Sequence, residues 1–183
     1  MGFISITKIK TIDKYLNACF VLIIFLLSST LYAQTTSDDY NNLGLNELEH
    51  LKPKSAIKYF DKAIELDSTN ETAYYNRAST YYELNKFELS IKDYEKLITF
   101  KTLDNQIYFG MARCYVGLKE NDKALTSFAK SIELDPKSAS SYVERAMLKI
   151  KMKDQIGACS DLKIANEIKY DVEIRAKLDE FCK

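Results

Sequence analysis

The sequence repeats itself every 34 residues, and this period constrains the fold more than any other feature of the chain. The clearest copy, residues 105–138, holds two segments in which apolar side chains recur at helical spacing. The polar stretch Lys119-Glu120-Asn121-Asp122 separates the two segments, and Pro136 near the end cannot continue a helix. Each copy is therefore predicted to form a pair of helices.

The copies agree in side-chain size at fixed positions. Position 4 is tyrosine throughout, at Tyr40, Tyr74, Tyr108 and Tyr142. Positions 8 and 20 are small, at Gly44, Ala78, Ala112 and Ala146, and at Ala56, Ser90, Ala124 and Ala158. Position 24 is large, at Phe60, Tyr94, Phe128 and Leu162. Small residues let two antiparallel helices approach closely, and large residues fill the space beside that contact.

This arrangement resembles the tetratricopeptide repeat, whose period is about 34 residues. Four copies cover 37–70, 71–104, 105–138 and 139–172. The resemblance implies an all-α, right-handed superhelical solenoid of helix-turn-helix repeats. Residues 173–183 form one more amphipathic segment without a partner helix, and we expect a C-terminal capping helix over the apolar flank of the last repeat.

Residues 1–33 do not follow the repeat. Three lysines precede an apolar or small run over residues 18–33, and the run closes with Leu31-Tyr32-Ala33 before Gln34. This order is typical of a secretory signal peptide, with cleavage after Ala33. The chain is therefore expected to be exported to the periplasm, the cell envelope or the medium. The alternative is an uncleaved N-terminal membrane anchor, although the run is short for a span of about 20 residues.

The cysteines fit an oxidising compartment. Cys159 stands at position 21, where the other copies carry Ile57, Ile91 and Leu125, so it should face the capping helix that Cys182 ends. A disulfide between Cys159 and Cys182 would fasten that helix to the stack. The alternative is two separate thiols in a packed edge, and Cys114 would remain free in either case.

Nothing in the sequence indicates catalysis. His50 is the one histidine and has no nucleophile motif beside it, while the five glycines are too scattered for a phosphate loop. The cysteines and the histidine are too widely spaced for a zinc site. The formal net charge of zero gives no reason to expect nucleic acid. We therefore expect no enzyme activity, no cofactor, no metal and no small-molecule substrate.

In proteins that this chain resembles, the first helices line a concave face, and ligands contact positions 2, 5, 9, 12 and 13. These positions predict a peptide-binding groove of Tyr75, Ser79, Tyr82, Gln106, Phe109, Arg113, Val116, Val143, Met147 and Ile150, with Glu83 beside it. None belongs to the columns that are predicted to hold the helix pairs together, yet many are large and apolar. Exposed aromatic residues beside an arginine suit the binding of a peptide.

Chaperone-binding members of that family grip a C-terminal carboxylate with a set of lysine, arginine and asparagine residues. At those positions this chain has Asn41, Leu45, Asn76, Gln106 and Gly110, of which Asn76 alone fits. The predicted function is that of an exported scaffold or adaptor that binds a protein or peptide segment in the groove. The alternatives are a membrane-anchored envelope assembly factor and a non-catalytic subunit of an enzyme complex.

Overall fold

The computed structural model describes residues 35–102 and 104–182. The predicted signal peptide and its alternative, the membrane anchor, lie outside these residues. Within them the chain forms nine α-helices and no strand. The helices are α1 (Ser37–Glu49), α2 (Pro53–Leu66), α3 (Glu71–Glu83), α4 (Phe87–Thr99), α5 (Asn105–Gly117), α6 (Asn121–Leu134), α7 (Ala139–Lys151), α8 (Gln155–Ile168) and α9 (Val172–Phe181).

The helices pack as a chain of neighbouring pairs. The first and second helix of each repeat contact each other, so α1 pairs with α2, α3 with α4, α5 with α6 and α7 with α8. Each second helix also contacts the first helix of the next repeat, and α8 contacts α9. The predicted all-α solenoid of helix-turn-helix repeats is confirmed.

The small and large columns of the sequence meet inside each pair. Ala112 and Ala124 are fully buried with Phe128 in one apolar cluster of the third repeat. In the first repeat a Cβ atom added to Gly44 would collide with the ring of Phe60, so these two residues touch in the same way. The close approach of the two helices therefore depends on the small residue at position 8.

Each first helix ends in the same turn. Its last turn is closed by a hydrogen bond from a backbone N–H to the carbonyl oxygen five residues earlier, as from Glu120 to Tyr115 at 2.9 Å. The residue before this donor has a positive φ in all four turns, at Leu51 (57°), Asn85 (55°), Lys119 (61°) and Lys153 (66°). These are features of the Schellman motif, in which glycine usually takes the left-handed position. Here three of the four residues carry long side chains that strain this backbone conformation.

A polar residue occupies the N-cap position of the first helix in each of the later repeats. The side chains of Asn70 and Asp104 accept hydrogen bonds from the backbone N–H groups of Ala73 and Gln106, both at 2.8 Å. Ser138 also occupies an N-cap position, but its hydroxyl bonds to the hydroxyl of Ser141 and caps no backbone N–H. Ser138 is therefore an N-cap by position, without a side-chain hydrogen bond to the helix backbone.

Two buried ion pairs join the helices of the even repeats. The guanidinium of Arg77 donates two hydrogen bonds to the carboxylate of Asp93, at 2.8 and 2.7 Å, and a third to Asp61 at 2.6 Å. In the fourth repeat, the guanidinium of Arg145 donates two hydrogen bonds to the carboxylate of Asp161, at 2.9 and 2.7 Å. Asp93 and Asp161 are only 6% and 2% exposed, so these carboxylates depend on their partners for solvation.

The third repeat has a neutral pair at the positions where the second has its ion pair. The third repeat has Met111 and Ser127 at the positions of Arg77 and Asp93, and both are buried. The hydroxyl of Ser127 donates to the carbonyl of Lys123 at 2.8 Å, so it needs no partner on the facing helix. The same helix pair is therefore compatible with either an ion pair or a neutral pair at this level.

The last helix is attached to the stack both covalently and by apolar contact. A disulfide joins Cys159 of α8 to Cys182, with the two Cα atoms 5.6 Å apart. Ile174 of α9 is buried against Tyr142 and Ala165, and Leu178 packs on the cluster of the fourth repeat. The helix thus covers the apolar flank that a fifth repeat would otherwise cover.

Candidate functional site

The first helices of the second and third repeats enclose a cavity of about 260 Å³, which we name the Arg113 pocket. Six of the ten predicted groove residues line it, and they come from α3 and α5. The lining residues are Tyr75, Ser79, Tyr82, Glu83, Tyr94, Gln106, Phe109, Gly110 and Arg113. Positions 5, 9 and 12 of adjacent repeats thus converge on one place, because the two first helices lie side by side.

Aromatic rings hold the guanidinium of Arg113 in place. Its central carbon lies 4.3 Å from the centroid of the Tyr82 ring and 5.7 Å from that of the Phe109 ring. Such contacts attract the cation to the π-electrons of the ring faces while its N–H groups remain able to donate. Arg113 is therefore positioned before any ligand arrives.

Tyr82 and Phe109 also help to hold the helices together. Tyr82 packs on Phe87 of α4 with ring centroids 5.7 Å apart, and Phe109 packs edge-on against Phe128 of α6 at 6.1 Å. The expectation that neither ring contributes to packing is wrong. Each ring reaches both the pocket and the core because it sits at the seam between a first helix and its neighbours.

The remaining four predicted residues lie outside the Arg113 pocket, and all are half-buried. Val116, Val143 and Ile150 pack beside the apolar clusters of the third and fourth repeats. Met147 lies on the same helix as Val143 and Ile150. The structure thus does not place these four side chains with the six around Arg113.

Two pocket residues were missed by reasoning from the sequence, namely Tyr94 and Gly110. Tyr94 fills the large packing column, but its hydroxyl reaches the pocket and lies 3.4 Å from the hydroxyl of Ser79. It can do so because a Cβ atom at Gly110 would collide with the end of the Tyr94 ring. The sequence does distinguish both residues from their counterparts in the other repeats. Tyr94 is the one residue at position 24 that carries a hydroxyl, and Gly110 is the one glycine at position 6.

Burial favours the neutral form of two phenols of the pocket, those of Tyr94 and Tyr75. Burial raises the pKa of Tyr94 to about 12, and the hydrogen bond between Tyr94 and Ser79 only partly offsets this. Burial also raises the pKa of Tyr75, and the negative charge of Asp104 raises it further. Both hydroxyl groups therefore stay protonated near neutral pH and can donate a hydrogen bond.

Neither a metal site nor a membrane span is found in the part of the chain that the structure describes. Among residues 35–102 and 104–182, no group of three or more His, Cys, Asp or Glu side chains could bind a metal ion. No helix in these ranges is long and apolar enough to cross a membrane. The chemistry of the pocket is that of aromatic faces, one cation and several hydroxyl and amide groups.

Helix pairs stacked side by side through small and large columns define a helical-repeat protein. A family model described as the tetratricopeptide repeat matches residues 40–70, 71–101 and 106–138, which is more than half of the chain. The chain therefore belongs to the tetratricopeptide-repeat family. The fourth repeat lies beyond these matches, but its helices α7 and α8 pair in the same way.

Solved structures share this fold. MamA from Desulfovibrio magneticus RS-1, from residue 41 to its end, matches with a TM-score of 0.70 and 16% identity over 74% of this chain and 77% of that one. PilF of Pseudomonas aeruginosa matches with a TM-score of 0.70 and 19% identity, covering 82% and 72%. The C-terminal part of a TPR repeat-containing protein from Cytophaga hutchinsonii gives 0.62 and 26%, covering 74% and 54%. A comparison with curated protein sequences gives no significant match.

Proposed function

We propose that this chain is a non-catalytic interaction module that binds a peptide or protein segment along its first helices. It acts as an exported scaffold or adaptor. The observation that carries the proposal is the Arg113 pocket, where one preformed cavity combines four aromatic rings with an arginine. Aromatic residues and arginine dominate the energetics of protein interfaces, and members of this family generally bind protein partners.

A crosslinking experiment tests where the partner binds. A photoreactive residue at Gln106, which is exposed at the pocket, should crosslink to the partner in the envelope fraction. The same residue at the exposed position Lys92 on α4 serves as the control and should not. Crosslinking from Lys92 but not from Gln106 would show that the second helices form the binding surface.

Substitution of Arg113 tests the pocket directly. Arg113→Gln should reduce partner capture strongly, since interface arginines commonly contribute about 2 kcal/mol or more. Lys58→Gln on α2 provides an exposed control. Phe109→Ala is a poorer test because the ring also packs on Phe128. Capture that survives Arg113→Gln but fails with Lys58→Gln would overturn the proposal.

The proposed location rests on the N-terminal sequence. The basic start, the apolar run and the small residue before Gln34 support export with cleavage after Ala33. Mass spectrometry of the protein recovered from the envelope or the medium should find Gln34 at its N-terminus. A membrane-bound species that retains Met1 would favour the anchored assembly factor instead.

A further inference from the structure

We propose that the Arg113 pocket recognises a side-chain carboxylate, that of a single Asp or Glu flanked by apolar residues inside a partner protein. The inference rests on the proposed function and specifies the chemistry of the segment that binds. Three observations carry it: Arg113 has no ion-pair partner within 4.0 Å among the described residues, the pocket has a surplus of hydrogen-bond donors, and acidic residues lie nearby.

The positive charge of Arg113 has no carboxylate partner in residues 35–102 and 104–182. No carboxylate oxygen in these ranges lies within 4.0 Å of its guanidinium. The two other arginines of the repeats, Arg77 and Arg145, each hold an aspartate by two hydrogen bonds. Aromatic rings position Arg113 instead, so its N–H groups remain available to a ligand. A carboxylate accepts two such bonds side by side, and these are stronger than bonds to a neutral carbonyl.

The other polar groups of the pocket add donors. The hydroxyls of Ser79 and Tyr94 lie 3.4 Å apart and share one hydrogen bond, which uses one of their two hydrogens. The second hydrogen is free to point at a ligand, whichever hydroxyl is the donor of the pair. The side-chain amide of Gln106 and the hydroxyl of Tyr75 also line the cavity. A ligand that matches this set must present acceptors, which a carboxylate does.

The acidic residues around the pocket limit the charge of the ligand. Glu83 lines the pocket itself and is exposed. An adjoining cleft shares Tyr75 and Gln106 with the pocket and is lined by Glu71 and Asp104 as well. A run of acidic residues, or an acidic residue that also bears the C-terminal carboxylate of its chain, would meet these carboxylates and be repelled. One acidic residue within an otherwise apolar or neutral segment avoids this repulsion. The residues of the bound segment that follow it can lie in the adjoining cleft.

The experiment uses a library of random peptide segments inserted within a carrier protein, so that none of them has a free terminus. Segments that bind the full-length protein are selected. Selected segments should share an acidic residue next to apolar ones. Replacing that residue by its amide in a synthetic, terminally blocked copy should weaken binding to the unmodified protein by about tenfold or more. This comparison requires no protein variant, so misfolding cannot obscure it.

Matched variants then assign the effect to the pocket. Arg113→Gln should abolish the preference for the acidic segment over its amide, whereas Glu83→Gln should increase it. Segments that bind in an Arg113-dependent way but show no preference for an acidic residue would overturn this inference and leave the proposed function standing. If no segment is selected, or if binding is indifferent to Arg113, both fail. Selection only of segments with a free C-terminus in a parallel library would assign the pocket to a chain end and refute the internal carboxylate.

Discussion

Replacing the ion pair of the second repeat by the neutral pair of the third should leave the free energy of unfolding almost unchanged. Each of the two substitutions alone should lower it. The variant is Arg77→Met with Asp93→Ser, which copies Met111 and Ser127. Arg77→Met alone leaves the carboxylate of Asp93, which is 6% exposed, without the two charged hydrogen bonds that Arg77 donates to it. Removing one partner of a buried pair costs about 3–5 kcal/mol.

The single variant Asp93→Ser and the double variant complete a double-mutant cycle and should be less destabilised than Arg77→Met. Asp93→Ser alone should cost less, about 2 kcal/mol, because Arg77 keeps its bond to the half-exposed Asp61 at 2.6 Å. The double variant removes both charges and should lie within about 1 kcal/mol of the wild type, since neutral replacements of buried pairs are often tolerated. The coupling free energy between the two sites should then be about 4 kcal/mol or more in magnitude.

The fourth repeat supplies a matched control. Lys149 also contacts Asp161, at 2.8 Å, so this aspartate keeps a cation when Arg145 is lost. Arg145→Met should therefore cost clearly less than Arg77→Met. Urea unfolding followed by circular dichroism gives the midpoints, and hydrogen exchange in each repeat shows whether the loss is local. A double variant as unstable as Arg77→Met alone would refute the reasoning.

The pH dependence provides an independent check. Burial raises the pKa of Asp93 in the native protein, over the opposing effect of Arg77. Without Arg77 this pKa must rise further. A carboxyl group whose folded pKa exceeds its unfolded value stabilises the native state at low pH and loses this contribution as the pH rises through the folded pKa. Arg77→Met should therefore recover part of its stability as the pH is lowered toward the ordinary aspartate range, and a variant that only loses stability on acidification would contradict this.

Three further predictions concern packing, the capping helix and the pocket. Ala112→Leu should cost about 1–3 kcal/mol, because the buried contact with Phe128 has no room for a larger side chain, and an unchanged urea midpoint would contradict it. Cys159→Ser with Cys182→Ser should release α9 and cost roughly 3 kcal/mol, which would appear as faster hydrogen exchange in that helix before any other. Ultraviolet titration should show a tyrosine that ionises near pH 12 and disappears in Tyr94→Phe. Since its unfolded pKa is 10.0, the stability that Tyr94 contributes should be lost between about pH 10 and 12, and uniform titration of all tyrosines near pH 10 would rule this out.

Much of the fold is predictable from the sequence because tetratricopeptide packing is local and periodic. The column that contains Ala112 and the column that contains Phe128 can be read by size alone, since each contact lies within one repeat. The Arg77–Asp93 pair is not visible in this way. The arginine stands out as a departure from an apolar column, but its partner on the facing helix is found only when both columns are compared across alternate repeats.

The candidate site was less predictable for a related physical reason. The positions of Tyr82, Phe109 and Arg113 follow from the repeat, since first helices of adjacent repeats lie side by side. The hydroxyl of Tyr94 does not follow, because the residue was assigned by the size of its ring. Its entry into the pocket depends on the missing side chain at Gly110, on a different helix. Val143, Met147 and Ile150 lie elsewhere because the pocket involves the second and third repeats and these residues belong to the fourth. Val116 belongs to the third repeat, but its side chain packs beside the apolar cluster of that repeat.

The left-handed residues at the ends of the first helices make the stability of the array adjustable in steps. Leu51, Lys119 and Lys153 carry side chains in a conformation that costs such residues roughly 1–2 kcal/mol, and glycine would relieve it. Part of this gain is offset because glycine loses more freedom on folding, so each replacement should add less than about 1 kcal/mol. In a repeat array such local gains sum along the chain, and none of the three turns contributes a residue to the Arg113 pocket. A series from one to three glycine replacements should therefore raise the urea midpoint step by step at constant partner affinity, and identical midpoints would show that no strain is stored there.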